Sequence, residues 1–169
     1  MADELKPIGK DATGYEVITE AMKDLLNQFP GLYEGEEIKY EELDEESGIA
    51  FSNDAGALVY TEREDVIGGI HQTCQYPFFV VYRAASSAKE RQKMSIQEFL
   101  DAFGKWLCKE SAVIDGETYK LAGYPKLAGT RQIKKITRDN SYGTDPQESG
   151  VQDWLLPVNV QYTNDIEPF

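Results

Sequence analysis

VIGGIHQTCQYPFFVVYR, residues 66–83, is the most strand-like stretch of this 169-residue chain. After Pro77 it runs Phe78-Phe79-Val80-Val81-Tyr82 without a polar residue, and β-branched and aromatic side chains suit a pleated surface. A run that does not alternate is the mark of a strand covered on both faces, so these residues predict a central strand. Pro77 has no N–H to give to a ladder and is expected at the strand's start or at a bulge. The expectation is therefore two strand stretches, Val66–Cys74 and Tyr76–Arg83, in the middle of a sheet.

Working outward, Ile38–Leu43 and Gly48–Phe51 read as short strands joined by the acidic turn Asp44–Ser47. Asn53–Gly56 then leads into Ala57–Tyr60, which predicts an antiparallel meander. Before it, Val17, Ile18, Ala21, Met22, Leu25, Leu26 and Phe29 recur at three-and-four spacing, so Gly14–Gln28 predicts an amphipathic helix closed by Pro30-Gly31. Residues 1–13 are polar and read as a loose arm. Downstream, a polar helical turn over Ser87–Lys93 leads to Ser95-Ile96-Gln97-Glu98, which has the form of a capping box. Ile96, Phe99, Leu100, Phe103 and Leu107 then make one apolar face. Thr118–Leu121, Thr130–Thr137 and Asp153–Tyr162 read as strands, with Arg138–Gln152 as a long polar connection and Pro157 at an edge or bulge. The predicted fold is α+β: a mainly antiparallel β-sheet with two principal amphipathic helices packed on it, in one domain over 14–163 followed by a tail, 164–169.

Composition narrows the function. Seventeen basic against thirty acidic residues leave a formal charge of −13, the wrong sign for a protein that grips nucleic-acid phosphates, because that affinity comes from Lys and Arg displacing counterions. No apolar run approaches the roughly 20 residues that a spanning helix needs, so no membrane partner is expected. The opening Met1-Ala2-Asp3-Glu4-Leu5-Lys6-Pro7 lacks the basic and apolar regions of a signal peptide; the protein is expected to stay where it is made. Cys74 and Cys108 have no neighbouring Cys or His at metal-ligand spacing and read as free thiols.

Catalytic chemistry finds little support. His71 is the single histidine, and its separation from Cys74 puts the two on opposite faces of a strand. The glutamates and aspartates between Glu34 and Glu46 lack the spacing of a calcium loop and read as a solvated surface or a functional acidic patch. Gly68-Gly69 is not followed by the Lys and Ser or Thr of a phosphate loop. No catalytic, cofactor-binding or metal-binding residue is nominated. One contrast stands out: Glu34–Glu46 is almost wholly acidic, whereas every charged residue from Lys120 to Arg138 is basic. Complementary patches of this kind suit head-to-tail contacts between copies, which makes Glu41, Glu42, Glu45, Arg131, Lys134 and Lys135 candidate subunit-contact residues. Two ordinary charged strand faces are the competing reading.

ITEAMKDLLNQFP (18–30), QYPFFVVYRA (75–84), SIQEFLDAFGKWL (95–107) and LPVNVQY (156–162), in this order, resemble the small tail terminator proteins of long-tailed phages and prophages, especially the Gram-positive type often labelled minor capsid protein. The resemblance covers Tyr15 to Tyr162 and lies in the succession of elements rather than in a discrete motif, so no individual residue role is carried over. It implies a protomer of a ring, usually a hexamer, that sits on the finished end of the tail tube, stops its polymerisation and meets the head-tail connector protein. The tail tube protein would be its partner below, and DNA would pass the lumen without specific binding. It further implies a place in the virion after assembly in the host cytoplasm, with no cofactor. Another ring-forming neck or head-completion protein, and a small carboxylate-dependent enzyme or regulatory domain, remain as alternatives.

Overall fold

A computed structural model describes residues 15–32, 36–43, 47–53, 58–85, 90–127, 129–148 and 150–167. Its elements are α1 (Tyr15–Leu26), β1 (Ile38–Tyr40), β2 (Gly48–Ser52), β3 (Leu58–Glu64), β4 (Ile70–Ala85), α2 (Glu90–Leu107), β5 (Ala112–Ile114), β6 (Glu117–Tyr119), β7 (Gln132–Arg138), β8 (Tyr142–Gly143) and β9 (Val151–Ile166). The fold is α+β. Among the described residues, seven strands form one sheet in the order β1-β2-β4-β9-β7, with β3 also pairing β4 and β8 also pairing β9. The sheet is larger than the sequence reading implies, and β5 and β6 make a separate hairpin.

The sheet is organised by β4 and β9, each 16 residues long, which pair antiparallel along their whole length from Ile70↔Ile166 to Ala85↔Val151. Both contain a proline in a central strand, and both prolines sit where a neighbour changes. On one side of β4, β3 pairs up to Gln75 and β2 takes over at Phe79; Pro77 faces the gap between them, and its carbonyl accepts a hydrogen bond from the Asn53 side chain. On the outer side of β9, β8 ends at Leu155 and β7 begins at Val158. Pro157 lies between, its carbonyl accepting from the Asp139 N–H at 3.0 Å. Since the N–H and C=O of a strand residue point the same way, neither ring interrupts a ladder bond.

Alternate residues of the spine face the helices. Cys74, Tyr76, Phe78 and Val80 of β4 and Trp154, Leu156, Val158, Val160 and Tyr162 of β9 are buried with Ile49 and Phe51 of β2 and Ile133 and Ile136 of β7. Ile18, Met22, Leu25 and Leu26 of α1 and Ile96, Leu100, Phe103 and Leu107 of α2 complete this core. Phe29, just beyond α1, joins the helices: its ring meets those of Phe99, Phe103 and Trp106 at centroid distances of 5.6, 4.7 and 5.4 Å. The opposite face bears Gln75, Phe79, Leu155, Pro157, Asn159 and Gln161, all half-buried.

Several expectations need correction. β1 and β2 pair in parallel, not as a hairpin; this sets Ile38 beside Ile49 and keeps both apolar side chains on the helix face. β2 and β3 do not pair with each other but line successive parts of β4. Val66 and Ile67 lie in a turn, so β4 starts at Ile70 and runs unbroken through Pro77. α2 starts at Glu90, so Ser95 is an exposed residue inside the helix rather than at its N-terminus. β9 continues to Ile166, which places Asn164–Ile166 in the sheet rather than in a tail. The 138–152 connection folds back along β9 through β8 and through Thr144 N–H to Asp153 O and Gln147 N–H to Val151 O. The arm, residues 1–13, lies outside the described residues.

Candidate functional site

Among the described residues, the most exposed large apolar side chains lie in the turn between β3 and β4. Asp65-Val66-Ile67-Gly68-Gly69 carries two adjacent β-branched residues at its tip, Val66 at 104% and Ile67 at 73% relative exposure. Asp65 holds this tip rigid. Its N–H bonds Gly69 O at 2.8 Å and its carbonyl accepts from Gly68 N–H at 3.2 Å. Its carboxylate accepts from the N–H groups of Ile67 and Gly69 at 3.0 and 2.8 Å. Gly68 has φ of 91°, a conformation that favours glycine, and a Cβ on Gly69 would come within 2.6 Å of the Asp65 carboxylate and push it from its place.

His71 locks the turn to the sheet. Its Nε2 is 3.0 Å from Asp65 Oδ2 and its Nδ1 is 2.8 Å from Asp165 Oδ1, Asp165 being its direct cross-strand partner on β9. Hydrogen bonding to Asp165, then to Asp65, raises the His71 pKa above its ordinary value. Hydrogen bonding to His71, then to the Gly69 and Ile67 N–H groups, lowers that of Asp65. Both imidazole nitrogens donate when the ring is charged, which is the form two carboxylates favour. His71 therefore acts as a bridge, and Cys74 faces the other side of the sheet among the core residues.

The residues singled out by charge separate clearly. Glu41 and Glu42 are exposed beside β1, which is one edge of the sheet; Lys134 and Lys135 are exposed on β7, which is the other. Arg131 does not join them. It is only 8% exposed and its Nε finds no hydrogen-bond partner among the described residues; burial raises the pKa values of Cys74 and Tyr162 beside it, and its charge offsets that rise only in part. Glu45 lies outside the described residues. Beside β7 an open cleft of about 520 Å³ is lined by Lys109, Glu110, Tyr124, Lys134, Lys135 and Arg138, among others.

Burial pushes the thiols of Cys74 and Cys108 up, leaving both poor nucleophiles at neutral pH. Among the described residues no group of three or more His, Cys, Asp or Glu is placed to hold a metal ion, and no helix is long and apolar enough to cross a membrane. The rigid Val66-Ile67 tip escaped sequence reasoning because β-branched residues next to a strand look like more strand. The signal that could have found it was Asp65 three and four residues before Gly68-Gly69. No family model matches the chain, and no curated protein matches it significantly.

Proposed function

We propose that this chain is a structural protein of a phage or phage-tail-like particle. It forms a homo-oligomeric ring, a hexamer on the tail, that caps the tube, ends its polymerisation and presents a joining surface to the head-tail connector protein. The observation that carries this reading is the β3–β4 tip. Burying a Val or Ile side chain is worth about 1.5–3 kcal/mol, and here two neighbours are kept in water on a turn fixed by backbone, carboxylate and imidazole hydrogen bonds. A pre-ordered apolar tip loses little entropy on docking, which is how an assembly subunit gains affinity from a small contact. In this reading the tip engages the tube protein or the connector. The acidic balance of the chain suits a lumen through which DNA passes without specific binding, and the role needs no cofactor and no catalytic residue.

Deleting the gene from the genome that carries it and imaging the particles by negative-stain electron microscopy tests the proposal. Overlong tails without heads are the expected result. Tails of normal length lacking heads would move the protein to the neck, and normal complete particles would overturn the reading altogether.

A further inference from the structure

The described parts of the two charged stretches that carry β1 and β7 lie on opposite edges of one sheet, and their charges are opposite in sign. Residues 36–43, around β1, hold four glutamates and one lysine, with Glu37 and Glu42 partly offset by Lys23 and Lys39 at 4.0 and 3.6 Å. β7 holds Lys134, Lys135 and Arg138, of which Arg138 is already paired with Asp101 and Glu110 at 3.7 and 3.4 Å, so Lys134 and Lys135 carry the basic charge that is open to a neighbour. The surfaces also differ in shape, because the basic edge borders the 520 Å³ cleft whereas Glu37, Glu41 and Glu42 are exposed beside a three-residue strand. We infer that copies of this chain associate head to tail, the acidic β1 edge of one copy seating in the basic cleft beside β7 of the next.

Direct strand addition is disfavoured at both edges. Asn27 satisfies the N–H and C=O of Ile38 with its own side-chain amide, at 2.7 and 2.9 Å, so part of the outer rim of β1 is closed. β7 has a register shift between Ile133 and Lys135, and a bulge with lysines on an edge strand discourages pairing with foreign strands. Side-chain charge then carries the contact. A contact between two different surfaces is heterologous, and repeated about a closing rotation it generates a ring. The inference rests on the ring reading above only for its setting; the contact itself is a property of the purified chain.

A charge swap followed by sedimentation velocity at low ionic strength tests it. Each Lys→Glu exchange changes the charge by −2, so Lys134→Glu with Lys135→Glu takes the chain from −13 to −17; Glu41→Lys with Glu42→Lys takes it to −9. Each pair is expected to weaken self-association by about tenfold or more, the effect of losing close charge complementarity. General repulsion predicts otherwise, since the −9 chain should then associate better. The fourfold variant restores −13 and is expected to regain association. An equimolar mixture of the two double variants is also expected to assemble, each unlike edge finding its match in the other species. A wild-type chain that stays monomeric up to its solubility limit, double variants that associate unchanged, or a fourfold variant that fails to recover would each overturn the inference. Particle imaging after gene deletion reports separately on the setting, so the two can fail independently.

Discussion

Replacing Asn27 by alanine removes the group that fastens α1 to the outermost strand. The Asn27 side-chain oxygen accepts from Ile38 N–H at 2.7 Å, and its nitrogen donates to Ile38 O at 2.9 Å and Lys23 O at 2.8 Å. Alanine leaves the two Ile38 backbone groups without that partner in a partly buried place. At about 0.5–1.5 kcal/mol for each hydrogen bond, the loss is about 1–3 kcal/mol; the bond to Lys23 O, which water can replace, adds little. A loss near 2 kcal/mol lowers the thermal midpoint by roughly 4–8 °C in a chain of this size. Urea unfolding should show the same loss as a lower midpoint with an unchanged slope. Asn27→Asp should be at least as harmful, because it keeps the acceptor for Ile38 N–H but sets a negative oxygen against two carbonyls at the C-terminal end of a helix. An alanine variant within about 0.3 kcal/mol of wild type, well below one net hydrogen bond, would refute this account of the β1 edge.

Phe103→Ala should be the more severe core change, at about 3–5 kcal/mol, since this fully buried ring touches Phe29, Phe99 and Trp106; urea unfolding measures it. Asn53→Ala should cost about 1–3 kcal/mol by leaving the Pro77 carbonyl unpaired beside β4, read in the same assay. The raised pKa of His71 and the lowered pKa of Asp65 set a pH window for the tip. The His71 contribution is complete below its ordinary value, about 6.5, and disappears as pH rises through the raised one. That of Asp65 is present above its ordinary value, about 3.9, and disappears as pH falls through the lowered one. Amide protection at Ile67 and Gly69, corrected for intrinsic exchange, should therefore peak between these limits; a profile flat with pH would contradict the clamp. Val66→Ser with Ile67→Ser should change stability by less than about 0.5 kcal/mol, as surface substitutions do, yet give unterminated tails in complementation imaging; normal tails would remove the tip from the docking surface.

Local signals made the larger elements legible. The spacing of Ile18, Met22, Leu25 and Leu26 places α1, and the residues from Phe78 to Tyr82 place a central strand, because burial periodicity survives whatever the topology. Pairing was less legible. Nothing in Ile38–Tyr40 distinguishes a parallel neighbour from a hairpin, since the choice is made by where Ile38 and Ile49 meet the helices. The β5–β6 hairpin was available in the sequence: Asp115-Gly116, both at positive φ, between Val113-Ile114 and Thr118-Tyr119 is a two-residue turn signal. Ser95 misled for the opposite reason, because Ser-x-x-Glu also fits an exposed helix surface when helical residues precede it. Apart from the β3–β4 tip, which the sequence hid, the charge contrast in the sequence singles out Glu41, Glu42, Lys134 and Lys135 as candidate contact residues. Their division between opposite edges required the strand order, and the burial of Arg131 required the register beside Tyr162.

The β4·β9 pairing also governs when the molecule can fold. Residues 86–150 separate the two strands, so the longest ladder closes only after a large loop has been drawn together, a topology associated with slow folding. On the ribosome, β2, β3 and β4 emerge well before β9. Until then Tyr76, Phe78 and Val80 lack their spine partner, and β4 presents a 16-residue unpaired edge, the kind of transient surface that invites misassociation. Among the described strands β7 pairs with β9 alone, so the basic edge is set in place only when β9 has been made.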